Sequence, residues 1–255
     1  MKEHIDTIPL HEAFDSGDEC PFCYLERLSE QRAIRYCIGP GASYMEPELR
    51  EETDRLGFCR QHMKKLYDYG NALGNALILQ TYLAGVLKEL ERVECAPGPK
   101  KSLFGSKPKA EEMLSWLEEK ESTCFLCRRQ EYNMRRYYHT FFVLLREEEF
   151  RQKVERSKGF CLHHFRILLE ESGKSLPGSQ RDWFREKIPA LMQENLLRIK
   201  EDLDWFVMKN DFRNAGKEWK NARDAVPRGI QKLQGGHPAD PVFRSADYGI
   251  KSPGK

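Results

Sequence analysis

The sequence predicts an all-α protein: two tandem helical repeats, each stapled by a Cys3His metal site, packed as a pseudo-twofold pair. Three observations carry this. Apolar residues recur at helical spacing, as in Leu73, Ala76, Leu77, Leu83, Leu87 and Leu90. No stretch alternates apolar and polar residues as a half-buried strand does. A Cys-x-x-Cys pair followed roughly 35 residues later by Gly-Phe-Cys-x-x-His occurs twice.

The first set is Cys20, Cys23, Cys59 and His62; the second is Cys124, Cys127, Cys161 and His164. Three thiolates and one imidazole form the ligand complement of a closed tetrahedral zinc site. Each pair places its two ligands about one helical turn apart, on one face. Each set is therefore expected to close on itself, stapling residues 1–95 as the first repeat and 111–208 as the second. With four protein ligands no position remains for an activated water, so structural zinc, two per chain, is expected rather than a catalytic ion. An iron–sulfur cluster is the chemical alternative. A thioredoxin-type pair would need a βαβ context, which is absent. His163 competes with His164 as ligand; register with Arg60-Gln61-His62 favours His164. Cys37 and Cys95 lack counterparts and read as ordinary thiols at helix ends. Arg27, Arg60, Arg128 and Arg129 stand near the ligands in sequence and could offset the negative charge of three thiolates on a divalent ion.

The elements follow in order. Residues 1–18 are polar and acidic with no apolar core, unlike a signal peptide. Pro21 takes a first-turn position and opens a helix over 22–37, stopped by Gly39-Pro40-Gly41. Pro47 opens a helix over 47–56, and Gly57 breaks it. A helix over 59–69 ends at Gly70, and a long one covers 72–93. Pro97, Pro99 and Pro108 with Lys100, Lys101, Lys107 and Lys109 mark a flexible basic linker over 96–110. Helices are expected over 111–121, 125–145, 147–156, 162–171 and 183–207, with a loop at 172–179. A helical extension occupies 209–236: an exposed helix over 211–224, then one more turn from Pro227 to Gly235-Gly236. Trp219 is hard to bury there, which suggests that the extension folds back or meets a partner. The tail, 237–255, is rich in Pro, Gly, Ser and charge and is expected to be poorly ordered.

Composition narrows the function. The chain has 255 residues, 32% of them charged, and a net charge of +2. The four linker lysines exceed that net charge, so the rest of the chain is no basic scaffold; nucleic-acid binding is possible but not favoured. The longest near-apolar run, 76–87, is interrupted by Gln80 and Thr81 and is too short to span a bilayer. A cytoplasmic protein is expected, with no membrane partner. In a reducing cytosol its eight cysteines suit metal better than disulfides. There is no Gly-rich phosphate loop, no serine-nucleophile motif and no catalytic carboxylate pair. The expected function is a non-enzymatic zinc protein, an interaction scaffold or regulator with a protein partner. A redox or iron–sulfur protein and a nucleic-acid-binding zinc protein are the alternatives.

The segment Cys20-Pro21-Phe22-Cys23 with Gly57-Phe58-Cys59-Arg60-Gln61-His62, its second copy, and the stretch from Asp211-Phe212-Arg213-Asn214 to Trp219 resemble an uncharacterised bacterial family. It is a family of domain-of-unknown-function proteins seen mainly in anaerobic Firmicutes, and the resemblance spans roughly residues 8–235. It implies a cytoplasmic bacterial protein with paired metal sites and supplies no activity. Leu162 stands where the first copy has Arg60, so the resemblance carries no arginine role common to both sites.

Overall fold

The computed structural model describes residues 5–95 and 109–245. Most of the expected linker and the tail beyond 245 lie outside the described residues. Among those described, the chain forms helices and no strand. In chain order these are α1 (Thr7–Asp15), α2 (Pro21–Ile38), α3 (Pro47–Leu56), α4 (Arg60–Tyr69), α5 (Ala72–Cys95), α6 (Lys109–Ser122), α7 (Phe125–Leu144), α8 (Glu148–Glu155), α9 (Leu162–Ser175), α10 (Gly178–Lys209) and α11 (Ala225–Gln234).

The helices belong to two compact units. One comprises residues 1–29 and 133–241, the other 30–132 and 242–255, so the boundaries fall inside α2 and α7. The units are not the consecutive stretches 1–95 and 111–208 expected from the repeated motif. Each draws on both halves of the chain.

In the first unit the core is aromatic. Phe14, Phe22, Phe141, Phe150, Phe160 and Phe184 are all buried. Phe141 meets Phe22, Phe150 and Phe160 edge-on at centroid distances of 5.4, 5.9 and 6.1 Å. Such pairs add about 0.5–1.5 kcal/mol each beyond their buried area. Helix α1, in a region read as polar, inserts Leu10, Ala13 and Phe14 into this core. Its apolar face covers barely two turns, too few for periodicity to stand out against acidic neighbours.

The expected loop at 172–179 shrinks to Leu176 and Pro177, because α9 runs on to Ser175 and α10 begins at Gly178. Residues 211–224 do not form the expected helix. The Asp211 carboxylate accepts the Arg213 N–H, which favours a local turn over helix, and Lys220 adopts φ 51. The segment holds a 3-10 turn at Phe212–Asn214, and the helix starts later, at Ala225, with Pro227 in its first turn. Trp219 is accommodated by folding back: its ring lies 5.6 Å from Phe206, and the Trp205 indole N–H donates to the Glu218 carbonyl at 3.0 Å.

The second unit packs Ile34, Ile38, Leu49, Leu66, Tyr69, Ile78 and Phe125 into its core. Cys37 is fully buried among them, and burial pushes its thiol up to about 12, so it is inert packing. Gly57 ends α3 at φ 59 and ψ −157, a conformation reserved for glycine; a Cβ there would strike the Tyr82 hydroxyl. Its carbonyl accepts the N–H of Phe125, an orphan donor of the first turn of α7, at 2.9 Å.

Candidate metal centres

All eight expected ligands converge, but in a pairing the spacing did not predict. Cys20 and Cys23 join Cys161 and His164; Cys59 and His62 join Cys124 and Cys127. The expected closed sets, Cys20-Cys23-Cys59-His62 and Cys124-Cys127-Cys161-His164, are not formed. Each Cys-x-x-Cys pair meets the Cys-x-x-His pair from the other half of the chain. Spacing is blind to this choice, since both pairings give identical ligand chemistry. Hydrophobic packing decides it. In the first unit Phe22, between the first two cysteines, packs 5.9 Å from Phe160. In the second, Phe58 lies 6.2 Å from Phe125.

The first centre lies wholly in the first unit. Its donor atoms stand 3.1 Å apart for Cys161 Sγ and His164 Nδ1, 3.5 Å for Cys20 and His164, and 3.6 Å for Cys23 and His164. The sulfurs of Cys23 and Cys161 are 3.6 Å apart. The second centre, in the second unit, has Cys59, Cys124 and Cys127 sulfurs at 3.2, 3.3 and 3.3 Å from His62 Nδ1. The sulfurs of Cys59 and Cys127 are 3.8 Å apart. A zinc ion with bonds of about 2.3 Å to sulfur and 2.0 Å to nitrogen has tetrahedral edges of about 3.8 Å between sulfurs and 3.5 Å from sulfur to nitrogen. The sulfur–sulfur spacings are close to that edge and far exceed the disulfide length of about 2.05 Å, and the sulfur–nitrogen spacings lie at the edge or a few tenths of an ångström inside it.

Local structure aims the donors. Cys59 and Cys161 are the N-caps of α4 and α9, and the Cys161 sulfur accepts the His164 N–H at 3.4 Å. The Cys124 sulfur likewise accepts the Cys127 N–H at 3.5 Å. Helix starts favour thiolate, since their N–H groups and dipole stabilise negative charge. His163, the competing candidate, is exposed, while His164 is buried in the ligand group.

The sulfurs of each centre shift one another's ionisation. Hydrogen bonds from Cys20 and Cys23 draw the Cys161 thiol far below its usual value, while burial pushes Cys20 well up and Cys161 raises Cys23 to about 12. In the second centre burial opposes ionisation of Cys124, yet His62 and the Cys127 N–H bring it down to about 6. Burial and the neighbouring sulfurs push Cys127 up. In each centre the sulfurs share one small volume, and the donor sets could hold a metal ion.

Supporting residues had left little trace in the sequence. The Glu30 carboxylate lies 3.2 Å from His62 Nε2 and 2.5 Å from Lys65 Nζ, an outer partner that fixes the ring for binding through Nδ1. Burial raises Glu30, but these partners hold it below the usual carboxylate range. At the first centre His164 Nε2 is 4.0 Å from Glu26. Lys232 on α11 is fully buried and donates to the carbonyls of Glu19 and Lys158, just ahead of the two ligand pairs. Two of the four arginines expected to offset charge are engaged with other groups: Arg27 with Asp240 and Asp18, Arg129 over the Tyr36 ring at 4.1 Å. At the end of α11, Gly235 lies against the first centre, where its Cβ would come within 3.6 Å of the Cys161 sulfur and 3.8 Å of the Cys23 sulfur.

A family model described as "Family of unknown function (DUF6062)" matches residues 1–240. The chain belongs to this family. The match agrees with the resemblance to a family of unknown function and brings no activity with it. No curated protein and no solved structure matches the chain.

Proposed function

We propose that the chain is a non-enzymatic, two-zinc helical scaffold of the cytoplasm that binds a protein partner, formed from two repeats that exchange ligand pairs. The observation that carries this reading is the pair of four-donor groups, each with its donor atoms within 4.8 Å of one another. Donors so close suit one ion; an iron–sulfur cluster spreads its ligands over several irons. Four protein donors fill a tetrahedral ion and leave no position for substrate or water, which supports a structural over a catalytic role. Structural zinc contributes on the order of 10 kcal/mol to such folds at neutral pH.

A protein partner is supported by Leu79, Leu83 and Leu87, which recur every four residues on α5 and are exposed. The near-neutral charge favours neither nucleic acid nor an anionic membrane. Among the described residues no helix is long and apolar enough to cross a membrane.

Elemental analysis of the anaerobically purified full chain tests the metal reading. Two zinc ions per chain in a colourless solution are expected, and iron with visible charge-transfer absorbance would replace zinc by a cluster.

A further inference from the structure

The two centres differ in what covers them. In the first, Cys20 and Cys161 are 0% exposed, Cys23 3% and His164 1%. The end of α11 closes over it, with Gly235 against the Cys23 and Cys161 sulfurs. In the second, His62 and Cys124 are buried, but Cys59 is only half-buried and Cys127 is exposed. Of the seven cysteines whose side chains are described, Cys127 alone is exposed. It reaches solvent with its sulfur 3.8 Å from that of Cys59, the N-cap of α4.

Resting on the two-zinc reading, we propose that the second centre is an oxidative modification site, entered at Cys127 and closed by Cys59. The oxidant is a peroxide. The Cys127 thiolate attacks one peroxide oxygen, breaking the O–O bond and leaving a sulfenic acid and hydroxide. The Cys59 thiolate then attacks the sulfenic sulfur, forming the S–S bond and expelling the second hydroxide. Two thiolates lose two electrons, hydrogen peroxide gains them, and two protons complete two waters. Zinc leaves as the aqua ion, since Cys124 and His62 alone cannot hold it tightly. The first centre has the same ligand chemistry but no exposed thiolate, so it keeps its ion. The chain thus carries one permanent staple and one that oxidation opens.

The test uses the full chain loaded with two zinc ions and treated with hydrogen peroxide beside a chromogenic zinc chelator. One equivalent should leave faster than the other by a factor on the order of 10 or more. Peptide mapping should then find a disulfide joining Cys59 to Cys127. In the untreated zinc-loaded chain, iodoacetamide should label Cys127 before any other ligand. Two equivalents released in step, or a first disulfide drawn from Cys20, Cys23 or Cys161, overturns this inference and leaves the two-zinc reading intact. A chain that takes up no zinc at the outset overturns that reading and this inference with it.

Discussion

A carboxylate on the far nitrogen of a metal-bound imidazole fixes tautomer and ring angle, and Glu30 holds that position against His62. Glu30→Gln should weaken metal binding at the second centre by about 10–100-fold and leave the first unchanged, as read by competition against a chelator of known affinity. Gly235 acts through its backbone, at φ 78 and ψ 162. Gly235→Ala should cost about 1–3 kcal/mol in urea unfolding, since the Cβ has room but the backbone conformation suits only glycine. The eight clustered residues were legible as candidate ligands because few roles explain Cys-x-x-Cys and Cys-x-x-His at matched spacing. Glu30 and Lys232 were not. On a charged helix a glutamate or a lysine reads as solvated surface, and only tertiary structure shows what it meets.

Among the elements, α11 is the one whose role exceeds its size. Its Lys232 ties the backbone ahead of Cys20 to the backbone ahead of Cys161, and it ion-pairs with Glu19 at 3.4 Å. Lys232→Ala leaves that buried carboxylate short of one partner and two carbonyls short of a donor. A loss of about 3–5 kcal/mol is expected, measured by denaturant unfolding of the metal-loaded chain. Helix limits were legible wherever a breaker marked them: Pro47 and Gly57 bound α3, and Gly70 ends α4. They were misread where side chains compete locally, as at Asp211, and where a short amphipathic turn hides among acids, as in α1.

At the scale of the whole molecule the ligand pairing is the central result, and stoichiometry can read it. Cys23→Ser with Cys161→Ser should leave one metal per chain, because both ligands serve the same centre. Cys23→Ser with Cys59→Ser should leave none. Consecutive stapling would give the reverse. The exchange lengthens the loops that bound ions would close: Cys23 and Cys161 are 138 residues apart, His62 and Cys124 62. Against a 36-residue gap from Cys23 to Cys59, the longer loop removes about 1 kcal/mol more chain entropy from the unfolded state. Lowering the pH should release both ions, because protons compete for the thiolates, and loss of helical circular dichroism should accompany the release.

The interleaving also sets a hazard during synthesis. The first four donors to leave the ribosome, Cys20, Cys23, Cys59 and His62, form a complete set that belongs to no native centre. An ion captured at that moment would lock the nascent chain into a wrong register until it was surrendered. Renaturation begun with zinc already present should therefore lag behind renaturation in which the metal is withheld until the helices have packed.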